Sequence, residues 1–289
     1  MHNKIKITES PRDAQQGLPF TIEVEQRAAY INELMKAGFD VIDFGSFVSP
    51  KAVPQMADSG QVLQLVDKSL SATKLLAIVG NTRGALEASA LEKVDLIGFP
   101  YSISNTFLQK NINSDLTRVY GTAQEIAGIC IKNQKVFRVF ISMAFGNPYG
   151  DEWNENILKV CVQSLVDIGV QAITLSDTVG LATPLSIKSA FDALLPVYPN
   201  IELGLHLHTE PQTAGAKIDA AWNAGCRSFD GVLNGIGGCP MTGYELLGNL
   251  NTLDLLSYCK EMNIPHQLNE PLLQDIASRY IDFQKIKYK

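Results

Sequence analysis

Two of the four histidines in this 289-residue chain, His206 and His208, stand two residues apart in an apolar segment. Side chains at this spacing in a β-strand point to the same face of a sheet. Imidazole nitrogens are common metal ligands, and Asp13, which follows the first strand-like segment, could add a carboxylate. A mixed set of nitrogen and oxygen ligands without a cysteine pair favours Mg²⁺ or Mn²⁺ over Zn²⁺. The alternative is that each histidine is an ordinary hydrogen-bonded side chain.

Three further residues have side chains suited to stabilising negative charge or to moving a proton. Arg12 would place a permanent cation beside an enolate oxygen, unless it merely forms a surface ion pair with Asp13. Asp43 ends an apolar segment, where it is either a hydrogen-bonded structural carboxylate or a second acid–base group. Cys239 follows two glycines in a loop that could move, and a thiol with a pKa of about 8.5 can protonate a carbanion. The alternative is that this loop is an ordinary turn. The other cysteines are expected to be inert core residues: Cys130, Cys161, Cys226 and Cys259.

Eight β-rich segments recur along the chain and are separated by helical patterns. They are Lys4–Thr8, Val41–Phe44, Leu75–Val79, Val94–Phe99, Val136–Ser142, Ala172–Leu175, Ile201–His208 and Ser228–Leu233. Most are rich in Ile, Val, Leu and Phe with little alternation, which is typical of strands buried on both faces of a parallel sheet. The polar residues named above fall at the carboxyl ends of these segments, where barrel enzymes carry their chemistry.

Helical patterns fill the gaps, including Glu25–Ala37, Asn154–Ile168, Pro184–Leu195 and Thr213–Ala224. Glycine follows several of them directly, and the strand–helix unit repeats roughly every 30 residues. The repeat predicts an α/β fold, a single-domain (β/α)8 TIM barrel over residues 1–289, with residues 255–289 as a helical extension packing on the barrel. The rival is an open doubly wound sheet, but the first segment lacks the GxGxxG loop of that fold.

Composition and charge limit the kinds of partner that the protein can have. The chain carries 24 Lys and Arg against 30 Asp and Glu, a net charge of −6, which argues against a nucleic acid partner. No segment reaches the roughly 18 consecutive apolar residues of a membrane span. The first residues resemble neither a secretory signal nor a transit peptide. We therefore expect a cytoplasmic enzyme that acts on a small molecule and has no membrane partner.

Together these motifs resemble the 3-hydroxy-3-methylglutaryl-CoA (HMG-CoA) lyase family, a group of metal-dependent barrel lyases related to isopropylmalate and homocitrate synthases. The similarity extends from Lys6 to about Asp254. Its most specific segments are Ser46–Lys51, Val53–Met56, Lys110–Asn113, Ser176–Gly180, His206–His208, Gly235–Pro240 and Gly248–Leu250. The Ser-Phe-Val-Ser-Pro-Lys segment points to the lyase rather than to the related synthases.

The resemblance implies a retro-Claisen cleavage of HMG-CoA to acetyl-CoA and acetoacetate. The implied ligands of Mg²⁺ or Mn²⁺ are Asp13, His206, His208 and Asn249. Arg12 would polarise the thioester carbonyl, Cys239 would protonate the enolate, and Asp13 or His206 would help to remove the substrate's hydroxyl proton. Asp43 and Asp177 are further catalytic candidates. The candidate substrate-binding residues are Arg12, Gln16, Ser46, Asn81, Ser142 and Thr178. The family also implies a homodimer.

The chain departs from the family pattern at several positions. Ala14 stands where the family has Gly, Asp43 where it has Glu, Thr209 where it has Asp, and Leu253 where it has an acidic residue. The possible partners of the CoA phosphates near the end of the sequence are Lys285, Lys287 and Lys289. These differences leave the substrate open, so a related aldolase or acyl-CoA condensing synthase is the alternative. A weakened barrel serving as a binding subunit is the non-enzymatic alternative, and the retained metal ligands argue against it.

Overall fold

The computed structural model describes residues 4–237 and 247–280, and these ranges contain eight parallel strands closed into a barrel. The strands are β1 (Lys6–Glu9), β2 (Val41–Phe47), β3 (Lys74–Val79), β4 (Leu96–Ser102), β5 (Val136–Ser142), β6 (Ala172–Asp177), β7 (Glu202–Leu207) and β8 (Ser228–Gly231). Each strand pairs in parallel with the next along the chain, and β8 pairs with β1 to close the barrel. The predicted (β/α)8 TIM barrel is confirmed.

Eleven α-helices within the described ranges surround this barrel. They are α1 (Pro11–Gln16), α2 (Val24–Ala37), α3 (Ser59–Leu65), α4 (Thr82–Ser89), α5 (Asn105–Ile112), α6 (Leu116–Lys132), α7 (Glu155–Asp167), α8 (Pro184–Leu194), α9 (Pro211–Asn223), α10 (Thr252–Glu261) and α11 (Glu270–Arg279). Helix α11 lies beside α2, where Arg279 Nη1 donates to Glu33 over 3.0 Å. None of the helices in residues 4–237 and 247–280 has the length and apolarity needed to cross a lipid bilayer.

The helices begin and end where the sequence supplies capping groups. Asn81, Ser104 and Asp115 each accept a backbone N–H bond from the first turn of the following helix. Helix α2 ends at Ala37. Gly38 follows it with a φ of 90°, a left-handed conformation that glycine adopts at little cost. Because these signals are local, the four helices named from the sequence end within two residues of their predicted bounds.

Several strands end at other residues than the sequence indicated. Strand β2 continues to Phe47 instead of ending at Phe44, because a β-bulge between Asp43 and Gly45 shifts the register and pairing with β3 resumes. Strand β6 likewise runs to Asp177, so this residue lies inside the strand and not after it. Strand β8 is shorter than predicted and ends at Gly231.

The interior of the barrel is apolar on one side and polar on the other. Buried side chains of β2, β3 and β4 form a small apolar cluster together with parts of β5: Val41, Leu76, Ile78, Leu96, Val136 and Phe140. Gly98 leaves room for this cluster, because a Cβ there would lie 2.5 Å from Ile78 Cδ1. A chain of polar contacts lies elsewhere in the barrel and joins Thr8, Arg138, Glu202, Asp230 and His206.

Four cysteines lie in the described residues, and all four are buried free thiols: Cys130, Cys161, Cys226 and Cys259. Burial raises the pKa of the Cys130, Cys161 and Cys226 thiols to about 12 and that of Cys259 to about 11. Thiols with such pKa values are almost entirely protonated near neutral pH, so they are poor nucleophiles. Their predicted place in the core is confirmed.

Candidate metal centre and active site

The fold brings Asp13, His206 and His208 together at the carboxyl end of the barrel. One ligand atom from each of these residues lies within 4.8 Å of those of the other two. Asp13 comes from α1, directly after β1, whereas His206 is in β7 and His208 follows that strand. Asp13 and His208 are buried, and the His206 side chain is 13% exposed. The grouping predicted from strand spacing is therefore present as a candidate metal site.

The His208 ring is oriented by a backbone carbonyl. Its Nδ1 lies 3.0 Å from the Thr178 carbonyl oxygen, which can only accept a hydrogen bond, so Nδ1 carries the proton. Nε2 is then left with a lone pair, and it lies 3.3 Å from His206 Nε2. Burial, aided by the neighbouring His206, lowers the pKa of His208 to about 4. His208 is therefore neutral near pH 7, which is the state that binds a metal.

Asn249 completes the cluster with an amide. Its Nδ2 donates to Asp13 Oδ2 and to the Ile236 carbonyl oxygen, each over 2.8 Å. Its Oδ1 is buried, and no hydrogen-bond partner for this oxygen exists among the described residues. A buried acceptor without a partner is costly unless a ligand or water occupies the space beside it. One carboxylate, two imidazoles and this amide oxygen form a donor set that fits a divalent cation such as Mg²⁺ or Mn²⁺.

Arg12 is fixed beside this cluster by three side chains. Its Nε and Nη2 both donate to Asp43 Oδ2, over 3.0 and 2.5 Å, and its Nη1 donates to Asp13 Oδ1 over 2.8 Å. Gln16 accepts from Arg12 Nη1 and donates to Asp13 Oδ1, so it joins the two residues. The Arg12 side chain is 11% exposed, and these bonds hold its guanidinium in one orientation as a charged group.

The two aspartates around Arg12 have opposite pKa shifts. Burial alone would raise the pKa of Asp13, but Arg12, the two neighbouring histidines and the hydrogen bond from Asn249 together lower that pKa to about 2. Burial raises the pKa of Asp43 to about 6, although Arg12 opposes the rise. Asp43 Oδ1 is buried and accepts no hydrogen bond from the described residues. Asp43 is thus the carboxylate with a pKa nearer to neutrality, as an acid–base group requires.

Asp230 is a neighbour of the cluster that the sequence reasoning missed. Its Oδ2 lies 3.5 Å from His206 Nδ1, and its Oδ1 lies 3.7 Å from Arg138 Nη1. Burial opposes protonation of His206, but Asp230 and Asp13 together raise its pKa above the usual value. One signal was available in the sequence, since Asp230 is a charged residue in the middle of a buried strand-like segment.

Asp177, a catalytic candidate, has its carboxylate engaged elsewhere. Oδ1 accepts from the Leu181 backbone N–H over 2.8 Å and Oδ2 accepts from that of Ala182 over 3.0 Å. Lys217 Nζ on α9 lies 3.6 Å from Oδ2. Burial raises the pKa of Asp177 against the pull of Lys217. These contacts hold the segment that follows β6, and none of them involves the metal cluster.

The candidate substrate-binding residues fall into two groups. Gln16 and Thr178 contact the cluster, since Gln16 donates to Asp13 and the Thr178 carbonyl oxygen accepts from His208. The other residues have contacts elsewhere: Ser46 is buried in β2, where its backbone N–H donates to the Ser59 hydroxyl. Ser142 ends β5, and its carbonyl oxygen accepts from Ser102. Asn81 is exposed and its side chain caps α4 by accepting from Gly84, which is the ordinary role of an Asn at that position.

The glycine-rich loop begins against the cluster. Gly237 has a φ of 94°, and a Cβ at this position would lie 2.8 Å from both Asn249 Nδ2 and the Asp13 carbonyl oxygen. Only glycine lets the backbone approach the ligands so closely. Cys239, the candidate proton donor, follows two residues later and lies outside the described residues, as do Lys285, Lys287 and Lys289.

Fold and site together define a class of protein, the barrel enzymes that hold a candidate divalent-metal site beside a fixed arginine at the carboxyl ends of the strands. The HMGL-like family model matches residues 4–279. The chain belongs to this family.

Individual relatives agree with this assignment. Hydroxymethylglutaryl-CoA lyase YngG of Bacillus subtilis is 32% identical over 285 residues, which cover 96% of this chain and 92% of that protein. The (R)-citramalyl-CoA lyase of Chloroflexus aurantiacus is 31% identical over 267 residues, 89% of this chain and 83% of the relative. A solved HMG-CoA lyase from Acinetobacter baumannii, in complex with coenzyme A and 3-methylmalate, superposes with a TM-score of 0.90 at 27% identity, covering 97% of this chain and 91% of that one.

Proposed function

We propose that this protein is a carbon–carbon lyase that uses Mg²⁺ or Mn²⁺ to cleave HMG-CoA into acetyl-CoA and acetoacetate. The observation that carries the proposal is Arg12 fixed directly beside the Asp13, His206 and His208 cluster. This pairing supplies a cation site and a permanent positive charge within a few ångströms of each other. Membership of the HMGL-like family supports the reaction, and the relatives named as lyases support the substrate.

The residues that would hold the cation are Asp13, His206, His208 and Asn249. When bound, the cation acts as a Lewis acid that lowers the pKa of a coordinated substrate hydroxyl. Asp13 stays ionised because Arg12 and the other neighbours of its carboxylate together hold its pKa at about 2 in spite of burial, and His208 stays neutral. Both ligands are therefore in their metal-binding protonation states near pH 7.

Arg12 stabilises the charge that develops when the C2–C3 bond breaks. Negative charge moves to the thioester oxygen, and a guanidinium already held in place needs no reorganisation to receive it. Asp43 and Gln16 provide that rigidity through their hydrogen bonds to Arg12. We assign the thioester carbonyl of the substrate to the space beside Arg12.

Among the described residues, Asp43 is the best candidate to accept the hydroxyl proton. Its pKa of about 6 suits a general base near neutral pH, whereas Asp13 is too weak a base for that task. Its Oδ1 is also free of hydrogen bonds from the described part of the chain. Cys239 would return a proton to the enolate carbon and so complete acetyl-CoA.

An acyl-CoA substrate is supported by the Acinetobacter relative, which was solved with coenzyme A. The Chloroflexus relative acts on citramalyl-CoA, so the acyl group is the open part of the proposal. The test supplies the metal-loaded chain with HMG-CoA and, separately, with (R)-citramalyl-CoA, and quantifies products by mass spectrometry. We expect acetoacetate and acetyl-CoA in equal amounts from HMG-CoA, with the higher kcat/KM. A higher kcat/KM for citramalyl-CoA, or no cleavage of HMG-CoA, would overturn the assignment.

A further inference from the structure

A column of alternating charges runs through the barrel from the metal site towards its opposite mouth. Below His206, Asp230 is flanked by Arg138, whose Nη2 donates to Glu202 Oε1 over 2.7 Å. Glu202 also accepts from Lys6 Nζ over 2.6 Å, beside a cavity at the amino-terminal end of the barrel. Cation and anion therefore alternate from Lys6, which is exposed at the barrel's mouth, inward to His206.

The two charges in the middle of this column are expensive to bury. Asp230 and Arg138 are each only 2% exposed. A buried ion pair often contributes little to stability, because desolvation of the two charges offsets their attraction. Stability alone is thus a poor explanation for an aspartate at position 230. The contact of Asp230 with His206 suggests a functional explanation instead.

The contact involves the nitrogen of His206 that a metal would leave free. His206 Nε2 faces His208 Nε2 in the cluster, while Nδ1 faces Asp230 Oδ2. Neither Nδ1 nor Oδ2 has a hydrogen-bond partner within the described residues, so the two atoms face each other as an ion pair at 3.5 Å. A carboxylate behind a metal-binding histidine fixes its tautomer and orientation and makes the ring a stronger ligand.

We propose that Asp230 is a positioning residue for the metal centre: it holds His206 with Nδ1–H towards the column and Nε2 towards the metal, and Arg138 fixes Asp230 in turn. The inference rests on the proposed function, because it takes His206 as a ligand. The two histidines are then supported differently, His208 by the neutral carbonyl of Thr178 and His206 by a carboxylate. His206 is the more strongly donating ring of the pair.

The decisive test measures Mn²⁺ affinity, with free Mn²⁺ followed by electron paramagnetic resonance. Asp230→Asn keeps the shape of the side chain but removes its charge, and we expect Mn²⁺ to bind about 10- to 100-fold more weakly. Glu9→Gln is the matched control. Glu9 is a fully buried carboxylate on β1, but its partners are the Leu233 N–H and the Thr252 hydroxyl, outside the cluster. Its Mn²⁺ affinity should equal that of the native chain.

A second measurement separates positioning from a general loss of structure. In the Mg²⁺-loaded, ¹⁵N-histidine-labelled protein, the ring shifts of His206 should report Nδ1–H in the native chain and change in Asp230→Asn, while those of His208 stay the same. Arg138→Lys keeps the positive charge but cannot donate several hydrogen bonds from one planar group. Like Asp230→Asn, it should weaken Mn²⁺ binding. Equal Mn²⁺ affinity of native and Asp230→Asn chains, with unchanged His206 shifts, would overturn the positioning role. A native chain that binds no Mn²⁺ would overturn the proposed function and this role with it.

Discussion

Arg12 is the residue whose geometry the proposed chemistry depends on most. Its planar fork donates to Asp43, Asp13 and Gln16 at once, an arrangement that a lysine ammonium cannot reproduce. We expect Arg12→Lys to lower kcat for HMG-CoA cleavage by about 10²- to 10³-fold, as the loss of a preorganised charge donor does. Steady-state kinetics would measure this, with Arg118→Lys on the exposed face of α6 as the control. A kcat within a factor of about three of native would contradict the role.

Glu9 should make the stability of the fold depend on pH. Burial raises its pKa from 4.5 to about 8, although bonds from Thr252 and Leu233 oppose the rise. Between these two values the folded chain holds a proton that the unfolded chain has released, so its stability falls as pH rises from 4.5 to 8. Gln cannot ionise, so Glu9→Gln should lose less stability than native over this window. Urea unfolding at several pH values with a chelator would measure this, and parallel curves for the two chains would refute it.

The sequence predicts the positions of the site residues better than it predicts their contacts. The spacing of His206 and His208 and the order of strands were enough to group them with Asp13, because the carboxyl ends of all barrel strands meet on one face. The direction in which the Asp177 carboxylate turns depends on the backbone of Leu181 and Ala182 and on Lys217, and no local pattern indicates it.

The segment after β6 is held by a buried ion pair between Lys217 and Asp177. Lys217 and Asp177 are both buried, so Lys217→Met would leave the aspartate without its charge partner. We expect this change to lower the free energy of unfolding by about 3–5 kcal/mol, and the double variant with Asp177→Asn to recover part of the loss. Urea denaturation would measure both.

An exposed pair provides the control for this cycle. Lys188 and Asp192 form an ion pair four residues apart on α8, with both side chains about half exposed. Lys188→Met should cost only about 0.5 kcal/mol. If Lys217→Met cost no more than that, the buried pair would not be what holds the segment.

Element positions were largely predictable because apolar strands and capped helices are local features. The exceptions have tertiary causes. The bulge that prolongs β2 arises where Gly45 passes Ser59, since a Cβ on Gly45 would lie 2.7 Å from the Ser59 hydroxyl. Such a close approach between distant residues leaves no signature in the segment itself, so the predicted strand ended too early.

For the whole molecule, metal binding should stabilise the fold, because the ligands come from both ends of the chain. Asp13 lies near the start of the barrel and His206, His208 and Asn249 near its close, so the unfolded chain cannot present them together. Mn²⁺ at about 100 times its dissociation constant should raise the free energy of unfolding by about 2.7 kcal/mol. Thermal or urea unfolding with and without Mn²⁺ would show this, and His208→Gln should abolish most of the gain. Equal gains in both chains would mean that Mn²⁺ binds elsewhere. The homodimer and the cytoplasmic location stay predictions.

Metal-dependent lyase activity can be tested by following HMG-CoA cleavage by the chelator-treated chain as Mn²⁺ or Mg²⁺ is added back. We predict no acetoacetate without metal, saturable recovery with either cation, and little or no recovery in His206→Ala. Cleavage that survives chelation and is unaffected by His206→Ala, or a metal-loaded native chain that leaves HMG-CoA intact, would contradict this prediction.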